Sequence, residues 1–197
     1  MGTEAIGYVL GQQCAPVIAG IKPSNLLIVE KGNQSRLTHM LKGTSLCGYL
    51  LYTSAEKDYW LLYEAKELER MLSDADKRAY LWESGYCAET LTLDRVLLHL
   101  AQSFRRYKEG EGEFPHEMGV FFGYPLGDVK GFIENKGQNF KLSGYWKVYD
   151  DVAYASRVFD LYEAARKKAL ELCSQGMRIS DIWKSFRMAD ACITAAV

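Results

Sequence analysis

The chain has 197 residues, of which 48% are hydrophobic and 25% are charged, and it carries a net charge of -1 at pH 7. These values are typical of a globular protein, and we expect a single domain over residues 1–197. Because the chain has no excess of Lys and Arg to neutralise phosphates, it lacks the charge of a general nucleic-acid or anionic-membrane binder.

The beginning of the chain lacks the features of a targeting signal. Residues 1–22 have neither a basic leader nor a continuous apolar core, and no stretch of the sequence reaches the roughly 18 apolar residues needed to span a bilayer. The Met1-Gly2 start resembles a myristoylation signal only loosely, since Ile6 stands where Ser or Thr is required. We therefore expect a cytoplasmic protein with no membrane contact.

The cysteines are five in number and widely spaced: Cys14, Cys47, Cys87, Cys173 and Cys192. They form no CxxC pair of the kind that zinc and redox sites use. The pattern predicts reduced and mostly buried thiols. From this spacing we assign no residue as a metal ligand. The sequence leaves any cofactor unknown.

The first elements alternate between helix and strand. Residues 3–13 favour a short helix, which we expect to end in a loop that contains Pro16 and Gly20. A strand over residues 26–30 and a helical turn over residues 33–40 follow.

Two segments rich in Tyr, Leu and Trp come next, at residues 47–54 and 58–65, and they predict a β-hairpin. Residues 66–82 favour helix in two pieces, with Ser73 capping the second piece and Gly85 ending it.

A helical pattern covers residues 91–108. Apolar residues recur at steps of four and three from Leu93 to Tyr107, which places them on one face of a helix. His99 falls on the opposite, polar face.

The central run FPHEMGVFFGYPLGDVKGFI contains two helix-compatible blocks around a Gly-Tyr-Pro break. Gly123 can adopt the left-handed conformation at a helix end, and Pro125 suits the start of the next helix. We expect separate helices over residues 115–122 and 125–136, with a bend at Tyr124.

His116 and Glu117 are the candidate catalytic pair. Pro115 suits the first helical position, which would place both residues in the first turn. His116 could act in acid–base chemistry or bind a metal, with Glu117 as its partner. The alternative is structural, because a Glu in the first turn is favourable against the helix dipole.

The break between two short helices also resembles a helix-turn-helix. Basic residues that could reach a major groove are scarce, with only Lys130 and Lys136 on the second helix. We expect no nucleic-acid binding.

The segment GYWKVY predicts a strand. Period-two alternation places Tyr145, Lys147 and Tyr149 on one face, with Trp146 and Val148 on the other. If Trp146 points inward, Lys147 stands between two tyrosines, where its ammonium could hold an anionic ligand.

Cys14 precedes a loop-like segment that contains Lys22. A loop thiol near a lysine could have a lowered pKa and become reactive, and the alternative is burial.

Three blocks together resemble an uncharacterised bacterial family classed as a domain of unknown function: CAPVIAGIK at 14–22, FPHEMGVFFGYPLGDVKGFI at 114–133 and GYWKVYDD at 144–151. The resemblance implies single-domain proteins of about this size, mainly from anaerobic bacteria. The resemblance also implies that members often carry a cysteine just before the GYWKVY block, where this chain has Ser143. The resemblance brings no activity, substrate or cofactor.

We predict an α+β fold with a small antiparallel sheet and helices packed on it. The expected strands lie near residues 25–30, 47–53, 58–64 and 143–149. The covering helices are expected at residues 91–108, 151–174 and 179–190.

The leading functional hypothesis is a cytosolic binding protein for an anionic small molecule or a protein partner. Its site would form where the three blocks converge, with six candidate ligand-binding residues: Cys14, Lys22, Tyr124, Tyr145, Lys147 and Tyr149. The first alternative is an enzyme that uses His116 and Glu117 in acid–base or metal-assisted chemistry. The second is a helix-turn-helix nucleic-acid module, and the oligomeric state is left open.

Overall fold

The computed structural model describes the backbone of residues 3–86 and 92–194, and the side chains of residues 6–86 and 92–188. The expectations for the thiols of Cys87 and Cys192 lie outside the described side chains. The described helices are α1 (Thr3–Ile18), α2 (Gln34–Leu41), α3 (Ala65–Ser73), α4 (Ala75–Glu83), α5 (Leu93–Lys108), α6 (Met118–Phe121), α7 (Leu126–Glu134), α8 (Val152–Ser174) and α9 (Ile179–Thr194). The described strands are β1 (Ser24–Glu30), β2 (Leu46–Thr53), β3 (Lys57–Glu64), β4 (Leu142–Ser143) and β5 (Lys147–Val148).

These elements form two compact units. Unit 1 comprises Met1–Ala65 and Tyr162–Val197, and unit 2 comprises Lys66–Leu161. The predicted α+β class is confirmed, and the prediction of one domain over residues 1–197 stays a prediction. No helix in the described part of the chain is long and apolar enough to cross a membrane.

Unit 1 contains an antiparallel sheet in the order β1-β3-β2. The predicted hairpin is confirmed, since β2 and β3 are antiparallel neighbours with Leu50 opposite Trp60. Both segments contain several aromatic side chains, which suit a half-buried pleated surface, and this composition explains why they form strands. The central strand β3 buries Trp60, Leu61 and Leu62.

Helix α1 packs on β1 and runs further than predicted. It continues through Pro16 to Ile18, and Gly20, with φ +78°, ends the turn that follows. Cys14 and Val17, on either side of Pro16, are fully buried. Their packing outweighs the lost backbone hydrogen bond, so a proline that we expected in a loop is tolerated near the helix end.

Unit 2 begins with two helices whose boundary was predicted one residue early. Asp74, rather than Ser73, caps α4, and its carboxylate accepts the backbone N–H of Lys77. Helix α5 occupies the segment with the firm apolar pattern, and its Leu97, Leu100 and Phe104 are buried as expected.

The predicted strand over residues 143–149 is wrong. The chain reverses between Ser143 and Lys147, which pair with each other in the two-stranded hairpin β4–β5. The reversal depends on Gly144, where a Cβ atom would lie 2.2 Å from the ring of Phe159. Gly144 and Phe159 both belong to unit 2. The β4–β5 hairpin forms a sheet of its own, separate from the β1-β3-β2 sheet.

Candidate functional site

Unit 2 contains a cleft of about 340 Å³, which we call the aromatic cleft. Its walls come from the segment around α6, from α7 and from the β4–β5 hairpin. Its lining residues are Phe114, His116, Met118, Gly119, Phe122, Tyr124, Asp128, Val129, Phe132, Ser143, Gly144, Trp146 and Lys147. A cleft of this size, apolar with a few polar groups, has the character of small-molecule sites in proteins.

The break after α6 brings Tyr124 into the cleft. Gly123 has φ +77°, and the N–H of Tyr124 donates to the carbonyl of Gly119, so the helix ends in the expected left-handed turn. The Tyr124 ring stacks on Trp146 with centroids 5.0 Å apart, and its hydroxyl donates to the carbonyl of Tyr145. Burial raises the pKa of Tyr124 to about 12, well above the ordinary value of 10.0.

Asp128 holds the second wall in place. Its buried carboxylate accepts the indole N–H of Trp146 at 2.6 Å and the backbone N–H groups of Tyr149 and Asp150 at 2.7 and 3.0 Å. These bonds satisfy both carboxylate oxygens. Asp128 therefore fixes the hairpin against α7 and offers little capacity to a ligand.

His116 lies on the cleft wall in the tight turn before α6. Because α6 begins only at Met118, His116 is not in a first helical turn as predicted. Its imidazole contacts the rings of Phe114 and Phe132, with centroids 5.6 and 5.4 Å away. The imidazole is thus a polar group flanked by two phenyl rings.

Lys147 supplies the ammonium group of the cleft. Its Nζ lies 5.6 Å from the ring centre of Phe132 and 4.8 Å from that of Phe140, and it donates to the carbonyl of Gly137 just beyond α7. The expected position between two tyrosines is wrong, because the chain turns at residues 144–146 instead of continuing as a strand. Trp146 is buried, so the condition on which that expectation depended is met, although the expected position of Lys147 is not.

Glu117 faces away from the lining of the cleft. It is buried and accepts the hydroxyl of Tyr86 at 3.3 Å. Burial, and then the nearby Glu117 carboxylate, raises the pKa of Tyr86. In the described part of the chain, no hydrogen bond joins Glu117 to His116, so the pairing expected from their adjacency has no supporting contact.

Cys14 and Lys22 belong to unit 1 and are both buried. Burial raises the pKa of the Cys14 thiol to about 12, which is the opposite of the lowered pKa that a reactive thiol needs. Burial also lowers the pKa of Lys22 to about 8. The Lys22 ammonium donates to Asn25 and lies 5.7 Å from the ring centre of Tyr162.

Two of the predicted tyrosines pack beside the cleft instead of lining it. The ring of Tyr145 contacts Phe159, with centroids 5.7 Å apart. The ring of Tyr149 covers Gly131 so closely that a Cβ atom there would lie 2.7 Å from Cγ of Tyr149.

The cleft thus contains three of the predicted site residues, His116, Tyr124 and Lys147. That Cys14 and Lys22 converge with them stays a prediction. Sequence reasoning missed Asp128 and Phe132, since an Asp in the first turn of a helix is ordinarily a solvent-exposed residue that stabilises the helix end.

The structure also bears on two of the alternative functions, a metal-assisted enzyme and a helix-turn-helix module. Over residues 6–86 and 92–188, no group of three or more His, Cys, Asp and Glu side chains could hold a metal ion. Helix α6 has 4 residues, which is short for the first helix of a helix-turn-helix.

Comparison with known proteins identifies one family. The sequence model of a family described as protein of unknown function, DUF3793, matches residues 10–183. No curated protein and no solved structure gives a significant match.

Proposed function

Since the chain belongs to this family of unknown function, we propose from the geometry of the aromatic cleft that it binds an anionic small molecule in the cytoplasm. The observation that carries the proposal is the ammonium of Lys147 at the wall of a cleft otherwise lined mainly by rings. An apolar ligand body would bury its surface against these rings. Its anionic group would accept hydrogen bonds from Lys147.

The charge of the ligand follows from the polar groups at the wall. Lys147 has three N–H donors, of which one is used on the carbonyl of Gly137. The carboxylate of Asp128 is occupied by three N–H donors and does not compete for Lys147. The imidazole of His116 can add a further N–H donor. A negatively charged group therefore gains more in this cleft than a neutral one does.

The proposal can be tested with two fluorescent probes of nearly the same shape. 8-Anilinonaphthalene-1-sulfonate carries a sulfonate, and N-phenyl-1-naphthylamine is its uncharged counterpart. We expect the sulfonate probe to bind more tightly by about tenfold or more, as a charge-assisted hydrogen bond is worth about 1.5–3 kcal/mol. Lys147→Met should abolish this preference, while Lys66→Met, which removes an exposed lysine of the same unit, should preserve it.

A variant that fills the aromatic cleft tests whether the probes bind there. Ser143 is an exposed residue of the cleft lining, so Ser143→Phe should fill the cleft without entering the core. We expect neither probe to bind this variant. The proposal fails if both probes still bind, or if the wild type binds both probes equally.

The alternative of acid–base chemistry rests on His116, which lies at the same wall. The buried position of Glu117 against Tyr86 gives His116 no carboxylate partner from that residue. His116→Gln distinguishes the two functions, because it should weaken sulfonate binding only modestly. If His116 is catalytic, the His116→Gln variant should lose the turnover of a substrate while it still binds the sulfonate probe.

The leading hypothesis also included a protein partner, and this possibility depends on exposed rings beside the cleft. Phe114 and Phe140 are 38% and 39% exposed, so both rings could contact a partner. A partner that inserted an acidic side chain would use the same Lys147. Ser143→Phe would then leave partner binding at the exposed rings largely intact while it blocks the small probes.

A further inference from the structure

A second cavity, of about 360 Å³, lies within unit 1 between α1, α2, the end of α8 and the start of α9. Three of its lining residues carry sulfur: Met40 on α2, Cys173 on α8 and Met177 in the turn before α9. The imidazole of His39 lines it as well. We call this the sulfur cavity. Four potential soft or borderline ligands, from three segments of the chain, therefore line one cavity.

Two glycines of α1, Gly7 and Gly11, leave space for the side chains of Met40 and Cys173. The thiol of Cys173 donates to the carbonyl of Gly7 at 3.5 Å, and a Cβ atom on Gly7 would lie 3.2 Å from the methyl group of Met40. A Cβ atom on Gly11 would lie 3.2 Å from Sγ of Cys173. Cβ positions four residues apart on a helix are about 5–6 Å from each other. Met40 and Cys173 therefore reach the same turn of α1.

We propose that the sulfur cavity binds a soft monovalent metal cation, of the copper(I) class, through Cys173, Met40 and Met177, with His39 as a further ligand. Thiolate and thioether sulfur select copper(I), whereas thioethers contribute little to binding hard cations. On binding, the Cys173 thiol loses its proton to solvent and the sulfur forms a bond to the metal. The oxidation state of the metal does not change.

The charges at the rim favour a monovalent ion over a divalent one. One thiolate and one monovalent cation are together neutral. A divalent ion would leave an additional positive charge close to Lys42, which also lines the cavity. The other cation of the lining, Arg178, is already paired with Asp181 at 2.8 Å.

The thiol is protonated when no metal is bound. Burial raises the pKa of Cys173, which keeps the S–H form that donates to Gly7. Methionine and cysteine also fill gaps in ordinary cores, and the experiment has to separate that role from ligation.

Silver(I) is a suitable probe because it has the ligand preference of copper(I) without its redox chemistry. Titration of the full chain uses a nitrate buffer without thiol reductant. The background is a chain in which Cys47, Cys87 and Cys192 are replaced by Ser. We expect Cys173→Ser to abolish the strong site, and Met40→Leu and Met177→Leu each to weaken it about tenfold or more. These Met replacements conserve volume.

Met188→Leu is the matched control, because Met188 is 70% exposed on α9 and lies outside the cavity lining. It should leave silver affinity unchanged. A spectroscopic signature comes from methionine labelled with ¹³C in its methyl group. Silver should shift the methyl resonances of Met40 and Met177 and leave that of Met188 in place.

Two results overturn the proposal. If Cys173→Ser abolishes binding while both Met variants keep full affinity, the thiol acts alone and there is no sulfur site. If silver binds equally to all variants with unchanged methyl resonances, the metal binds elsewhere. The thermal midpoint of each variant without silver checks that the fold is intact.

Discussion

The indole N–H of Trp146 donates to the carboxylate of Asp128 at 2.6 Å, across 18 residues of sequence. Because the other oxygen of Asp128 accepts the backbone of Tyr149 and Asp150, one side chain fixes the position of a ring and the course of a hairpin. The aromatic cleft therefore depends on a residue that does not need to bind any ligand.

We expect Asp128→Asn to lower the free energy of unfolding by about 1.5–3 kcal/mol, because an amide N–H₂ group replaces an oxygen that accepts hydrogen bonds as part of a charged group. Urea unfolding followed by tryptophan fluorescence measures this. Asp160→Asn is the control at an exposed site of the same unit, and it should change stability by less than about 0.5 kcal/mol. Equal effects of the two replacements would contradict the anchoring role of Asp128.

Gly144→Ala should destabilise the protein by about 1–3 kcal/mol, since the new methyl group would lie 2.2 Å from the Phe159 ring. Gly112→Ala is the control, because its Cβ atom would be at ordinary contact distance, 3.7 Å from Arg106. Adding Phe159→Leu relieves the overlap, so this second replacement should cost less in the Gly144→Ala background than in the wild type. A strictly additive double mutant, measured by thermal unfolding, would argue against the overlap.

Arg187→Met should lower the free energy of unfolding by about 1–3 kcal/mol, because it leaves the buried carboxylate of Glu64 without its cation at 3.0 Å. The control is Arg178→Met, whose ion pair with Asp181 involves an arginine with a side chain 79% exposed. Such surface pairs contribute less than about 1 kcal/mol. Urea titration of both variants should rank them in this order, and the reverse order would be inconsistent with burial as the cause.

The Cys14 thiol predicts a dependence of stability on pH. Its pKa is raised from 9.0 to about 12 in the folded protein, so between these values the unfolded chain loses a proton that the folded chain keeps. The contribution of Cys14 is therefore fully present below pH 9 and is lost as the pH rises through this window. At pH 10.5 the loss amounts to about 2 kcal/mol.

The stability difference between the wild type and Cys14→Ala should accordingly shrink from pH 8 to pH 10.5. Lys22 is present in both proteins, so most of its contribution to the pH dependence of stability cancels when the two proteins are compared. The control is Val17→Ala, a buried replacement on the same helix without a titratable group. Its difference from the wild type should stay constant, and a constant difference for Cys14→Ala would show that the thiol ionises without penalty.

Features set by local chemistry could be predicted from the sequence. The hairpin of β2 and β3 with its many Tyr, Leu and Trp residues, the apolar period of α5 and the break at Gly123 and Pro125 all depend on residues a few positions apart, and all are present. The family resemblance is confirmed by the match to residues 10–183.

Features set by distant packing could not be predicted. Strong strand formers in GYWKVY favoured one continuous strand, but the contact between Gly144 and Phe159 turns the chain there. The role of Asp128 depends on N–H donors that lie 18 to 22 residues further along the chain. His116 and Glu117 are adjacent in sequence, yet their side chains have different surroundings, because a tight turn directs neighbours to different sides.

The position of Lys147 has a consequence for the entropy cost of binding a ligand. A lysine side chain in solution loses about 2 kcal/mol of rotamer entropy when it is immobilised. Here the carbonyl of Gly137 and the rings of Phe132 and Phe140 already restrict the ammonium. Much of the ordering is thus completed during folding, and a ligand that meets Lys147 would gain its hydrogen bonds with little further loss of side-chain freedom.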